Sequence, residues 1–293
     1  MVTIEQLRAE GEQNALYFSL FGVFVLLFFL IGITFGWFLL ILGMVLLYIQ
    51  IQKSRELGSS VLVSDKQFPD IYKKNLEVAK KLSMPMPRVY VKQDPFLNAY
   101  AMSTIFQDDK GIVVLHSALV EALTEPELTT IIAHEFTHIK CNHTRWGVLT
   151  NLHGAYYIYI ISDILSLITS FYSRKCETTS DRGGLIAVQN LEASATSLIK
   201  LSIGKELFEK MNVEEFVKQA ETLEEDDFGR IAELSLTHPH ILNRIKYLIS
   251  FYKSSEYKQF VDGGINQNRD EQRTQNYSDS GNVNKYPEGR KNW

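Results

Sequence analysis

The chain has 293 residues, of which 22% are charged and 45% hydrophobic, and its formal net charge is −4. That balance excludes a disordered chain and a fibrous repeat, and it supplies no basic footprint for nucleic acid. Two cysteines cannot build a disulfide framework, so no oxidising compartment is required.

The mean hydropathy of −0.07 averages two unlike parts. Residues 1–13 are polar and slightly acidic, unlike the basic start of a cleaved signal peptide. Residues 13–52 then contain no Asp, Glu, Lys, Arg or His. One helix over 15–51 would be roughly 55 Å long, against a hydrocarbon core of about 30 Å. Gly32 and Gly36 offer a turn near the middle. The segment 14–52 is therefore expected to form a two-helix transmembrane anchor with spans at 16–33 and 35–51. A hairpin returns the chain to the side it left. Arg8, Lys53 and Arg55 flank it, which by the positive-inside rule favours the cytoplasm for that side.

Residues 58–262 read as a folded domain. Apolar spacing predicts a helix over 65–82, ending at the Met84-Pro85 break. Short strands are expected at 88–92, 98–103 and 111–115. Helices follow at about 125–141, 176–201, 213–223 and 241–251. The fold class is α+β, mostly helical with a small sheet. Residues 263–293 are polar throughout and read as a disordered tail.

The sharpest motif is IIAHEFTHIKCNH, in which His134, Glu135 and His138 form HExxH. A spacing of four puts both imidazoles on one helical face, one turn apart, within reach of a single zinc ion. Glu135 stands beside them, placed to take a proton from a metal-bound water. A catalytic zinc keeps three protein ligands and one open position. Downstream, SRKCETTSDRGG holds Glu177 and Asp181 four apart. Glu177 can supply the third ligand, and Asp181 can accept the free ring N–H of a ligand histidine. The alternative for such an acidic pair is a solvated helix face.

Cys141 and His143 lie just past the histidine pair, and Cys141 reads as a small buried hydrophobe. His116 and His153 have no partner motif. The segment 146–173 is apolar and long enough to cross a membrane, yet His138 and Glu177 flank it and must meet at one metal. A single crossing is incompatible with that site. The segment is expected to be membrane-proximal or re-entrant, and Asp163 near its centre opposes full lipid exposure.

AHEFTHIKCNH, SRKCETTSDRGG and LTHPHILNRI, in that order, resemble the membrane zinc metallopeptidases related to the HtpX heat-shock protease and CAAX prenyl endopeptidase. The resemblance implies a zincin-type domain of the HExxH gluzincin kind behind a transmembrane hairpin, with one Zn2+ per subunit. By position, His134, His138 and Glu177 match the family's metal ligands, Glu135 its base, and Asp181 the acidic residue one turn after the ligand Glu. His238 matches a histidine that stabilises the oxyanion, although on its own it could equally cap the helix after Pro239. Asn98, Ala99 and Tyr100 match the substrate-binding edge strand. Arg244 is grouped with them as a site-supporting arginine. Where relatives often carry a glycine after the NA pair, this chain has Ala101, Met102 and Ser103.

The function so implied is a membrane-anchored zinc endopeptidase. Its expected partners are the bilayer and polypeptide substrates, misfolded or membrane-associated. Its expected place is a bacterial-type inner membrane, with the catalytic domain cytoplasmic. Two alternatives stand. One is an inactive scaffold whose zinc is structural, closed by a fourth ligand from Cys141 or Cys176. The other is a CAAX-type prenyl-protein protease.

Overall fold

A computed structural model of the chain describes residues 2–102, 111–144, 159–222 and 240–261. The expectations for 103, 145–158, 223–239 and 263–293, including His153 and His238, lie outside these residues.

A short helix, α1 (Ile4–Leu7), precedes α2 (Glu12–Gly58). Strand β1 (Ser60–Leu62), helix α3 (Pro69–Lys81) and strands β2 (Arg88–Lys92), β3 (Ala99–Met102) and β4 (Ile112–His116) follow. The sheet order is β1-β2-β4-β3, with β2 and β4 parallel and the other pairs antiparallel. Strand β1 was not expected from the sequence, because SVL is too short to show an alternating pattern. β4 is buried at every position and reads as an uninterrupted apolar run, as a central strand should. β3 forms one edge of the sheet, as the Asn98–Tyr100 match anticipates.

Helices α4 (Ser117–Ala122) and α5 (Glu125–Lys140) come next. After them run α6 (Tyr159–Val188), α7 (Leu191–Ile203), α8 (Lys205–Phe208), α9 (Val213–Thr222) and α10 (Ile241–Lys253). The single helix expected over 176–201 is thus two. Gln189 takes φ +55°, and Asn190 caps α7 by accepting from the Ala193 amide at 3.0 Å. Helical spacing continues across that break because α6 and α7 both present apolar faces to the same core. The start also differs, since α6 begins in the apolar segment and carries it without a break into the Glu177 and Asp181 turn.

A larger difference concerns α2. It is one helical element of 47 residues, where a turn between two helices was expected. Its two ends nevertheless sit on the same domain. Glu12 lies against His143 and Thr179, whereas Glu56 accepts hydrogen bonds from Lys92 and from Tyr100, each at 2.7 Å. A straight helix would separate Glu12 from Glu56 by roughly 66 Å, more than such a domain spans. The reversal is therefore a bend within a helical element. Glycines cost least at such a bend, and Gly32 and Gly36 lie mid-helix.

One core lies between the sheet and helices α3 and α5, around Val78, Leu82, Val113, Leu115, Ile132 and Phe136. A second joins α1, α6, α7 and α10 through Leu7, Leu185, Leu198, Ile245 and Leu248. Helices α5 and α6 run against both and meet closely at two glycines. A Cβ on Gly183 would fall 1.9 Å from Thr137 Oγ1, and one on Gly184 would fall 3.0 Å from Thr130 Cγ2. This close approach carries the two metal-ligand motifs to one point.

Candidate metal centre

Helix α5 begins with a capping box: the Thr124 amide donates to Glu127 Oε2 at 2.8 Å, and Pro126 occupies the first turn. Glu127 is also paired with the Lys200 ammonium at 2.7 Å, which ties α5 to α7. Ile132 and Phe136 bury the opposite face of α5. His134 and His138 are left on the face toward α6. The helix ends at Lys140, and Asn142 then takes φ +60°, a left-handed position that asparagine tolerates. That turn brings His143 back beside His138.

The Nε2 atoms of His134 and His138 are 3.0 Å apart. Glu177 faces both, with Oε2 3.5 Å from His134 Nε2 and Oε1 3.5 Å from His138 Nε2. Two donors each about 2.0–2.1 Å from one tetrahedral zinc lie roughly 3.4 Å apart. The spacing of these three side chains fits one such ion. Among the described residues, His134, His138 and Glu177 form the one group able to hold a metal, and neither cysteine joins it. Cys141 and Cys176 are buried free thiols, and burial raises both, Cys141 to about 12. Among the described residues the group therefore offers three donors, the number a catalytic zinc takes from its protein.

The surrounding charges are ordered in a second layer. His134 Nδ1 lies 3.0 Å from Asp181 Oδ1. Arg244, from α10, holds that carboxylate in two-point fashion, with Nε donating to Oδ2 at 2.9 Å and a terminal nitrogen to Oδ1 at 2.6 Å. The same terminal nitrogen lies 3.3 Å from Glu177 Oε2. Burial works to raise the Asp181 carboxyl, but the Arg244 and His134 charges outweigh it and hold it low. Burial likewise works to lower His134, and the carboxylates of Asp181 and Glu177 outweigh it, raising the imidazole to about 10. Three carboxyl groups, Glu135, Glu177 and Asp181, are buried together around this pair of histidines. Glu135 is buried beside His134 on α5.

The other residues singled out fall as follows. Asn98 is exposed, and its carbonyl accepts from the His116 amide at 3.0 Å, which closes the end of the β3–β4 pairing. Ala99 and Tyr100 stand in β3, opposite Leu115 and Val114. The Tyr100 hydroxyl is engaged with Glu56. Arg244 does not line the edge strand with them; its guanidinium is committed to Asp181 and Glu177, the supporting part of its expected role. His116 is buried against Asp94 and the Phe96 carbonyl. Sequence reasoning left His143 without a role and missed Glu12. His143 carried a signal in its nearness to the motif, but Glu12 lies far upstream and carried none.

The pattern of Peptidase family M48 matches residues 65–251. Among curated proteins, the plastoglobule-localized metallopeptidase 48 of Arabidopsis thaliana chloroplasts is 31% identical over 226 residues, 72% of this chain and 65% of that protein. The protease HtpX homolog of Helicobacter pylori is 28% identical over 192 residues, 55% of this chain and 60% of that protein. The HtpX homolog of Bacteroides fragilis is 26% identical over 208 residues, 57% of this chain and 64% of that protein. The chain thus spans between 60% and 65% of the length of these relatives.

Proposed function

The chain belongs to peptidase family M48, and from that premise we propose that it is a membrane-anchored zinc endopeptidase acting on misfolded or membrane-associated polypeptides. The observation that carries this reading is the convergence of His134, His138 and Glu177, all within 4.8 Å of one another, with Glu135 buried beside them.

His134, His138 and Glu177 would hold the ion. When bound, zinc supplies Lewis acidity toward the scissile carbonyl and acidifies a water. Glu135 would act as general base toward the attacking water and then as general acid toward the leaving amine. Asp181 and Arg244 keep His134 and Glu177 in place. His238 is the candidate donor to the oxyanion, and it precedes by two residues the His240 cap of the helix that bears Arg244. An extended peptide adds to the free edge of β3 by main-chain hydrogen bonds, and this selects little for side chains.

The anchor reading rests on α2. Its stretch Glu12–Gly32 is long and apolar enough to cross a membrane, and only 17% of its most apolar window is buried. A core helix of a soluble protein would be mostly covered. Here Tyr17, Phe18, Phe21, Phe24, Phe28 and Phe29 are all exposed. The inner side of α2 packs on α6, where Ala15 and Leu16 meet Tyr172 and Cys176. Because both ends of α2 touch one domain, the catalytic part lies on a single side of the bilayer, read here as the cytoplasmic side of an inner-type membrane.

Chelation of the purified protein in detergent is expected to abolish cleavage of an unfolded model protein, with zinc restoring it. Cleavage that persists in excess chelator would overturn the reading. Against a farnesylated CAAX peptide, little cleavage is expected beside that of the unfolded protein. The opposite preference would favour prenyl-protein processing.

A further inference from the structure

The two ligand histidines are oriented by different means. Asp181 meets His134 Nδ1 directly. On the other side, His138 Nδ1 lies 3.2 Å from His143 Nδ1, and His143 Nε2 lies 3.2 Å from Glu12 Oε1. We propose that His143 and Glu12 are positioning residues for His138, forming a two-step link from the first turn of α2 to the second metal ligand. This rests on the reading of His134, His138 and Glu177 as a zinc site.

A metal on His138 Nε2 sets the direction of the hydrogen bonds in the link. A carboxylate only accepts, so Glu12 takes the N–H of His143 Nε2. With its Nε2 on a metal, His138 carries its one N–H at Nδ1 and donates to His143 Nδ1. His138 Nε2 in turn faces the position that His134 and Glu177 also face. This is the arrangement by which a metal-bound histidine is held through its second nitrogen, extended here by one imidazole.

The link is built for rigidity. His143 is 4% exposed and Glu12 2%. Glu12 accepts further bonds from the Thr179 hydroxyl and pairs with Arg8 at 3.1 Å. Thr179 stands two residues from Glu177 on α6 and also accepts from the Ala9 amide at 2.9 Å. The segment leading into α2 is fastened elsewhere too. Lys140, just past His138, donates to the Val2 carbonyl at 2.9 Å, and Arg182 donates to that of Arg8 at 3.1 Å. Leu7 is fully buried in the second core. The N-terminal segment is thus a part of the metal site, and its docking sets the geometry of His138.

The test is zinc affinity, measured by competition with a chromogenic chelator on the full chain in detergent, alongside thermal unfolding of the metal-free protein. His143→Phe and Glu12→Ala are each expected to weaken zinc binding by about 10–100-fold. The double variant is expected to be no weaker than His143→Phe, because the two residues act in series. Glu12→Gln keeps an acceptor of the same shape and is expected to bind zinc close to wild type even if Glu12→Ala folds poorly. Affinity unchanged in the single variants, or lowered melting without lowered affinity, would overturn the proposal and leave a purely structural network. A wild-type protein that binds no zinc would instead remove the metal site itself.

Discussion

Glu135→Gln is expected to lower cleavage of an unfolded protein by about 10²–10⁴-fold, the usual range for a positioned general base, while the protein still binds one zinc per chain. The two outcomes separate because Glu135 and the ligand set have different duties. The group that can hold the metal is His134, His138 and Glu177. Glu135 stands outside it, on the same turn of a helix fixed by its buried Ile131, Ile132 and Phe136. A carboxamide occupies the same volume but cannot take a proton at neutral pH. The helix, its capping box and the ligand spacing should therefore persist. Turnover of the variant at the wild-type rate would place the base elsewhere. Loss of zinc along with activity would mean that Glu135 holds the site together.

Arg244→Ala is expected to destabilise the metal-free protein by about 3–5 kcal/mol, the cost of stranding one partner of a buried ion pair. Removing the guanidinium leaves Asp181 without its two-point partner and takes from Glu177 a cation 3.3 Å away, in a pocket where both carboxylates are buried. Arg244→Lys is not expected to rescue it, because one ammonium cannot reproduce two parallel bonds to one carboxylate. Zinc should recover part of the loss by compensating Glu177. Denaturant unfolding with and without zinc checks both statements. A variant with unchanged stability and a raised KM alone would return Arg244 to the substrate-binding group.

These two predictions draw on features that were unequally visible in the sequence. The His134 and His138 pair is legible because an interval of four in a helix has one geometric meaning. Glu177 and Asp181 share that logic, and the open question was only whether their face met the first. The contact that answers it runs through Gly183 and Gly184, whose missing side chains let α6 close on α5. Arg244 reaches Asp181 from another helix, and no interval in the chain encodes that contact. Glu12 is more extreme, since it reads as the polar edge of an apolar run and yet packs behind a ligand histidine.

Most strands and helices of the domain follow the apolar pattern, but α6 starts well upstream of the expected 176, and its end lies at a local backbone event. Gln189 and Asn190 end one helix and start another within an apolar run, so the hydrophobic spacing shows no gap. In α2, length against bilayer thickness is what led to the expected reversal. It does not show whether the backbone reverses by a turn or by a bend with its helical bonds retained, because the apolar residues on either side are alike.

The central claim is that His134, His138 and Glu177 hold one catalytic zinc. It is tested most directly by metal analysis of the purified full chain beside its Glu177→Ala variant. One zinc per chain in the wild type, and substoichiometric zinc with lost cleavage in the variant, is the predicted result. Equal, stoichiometric zinc in both proteins would contradict it.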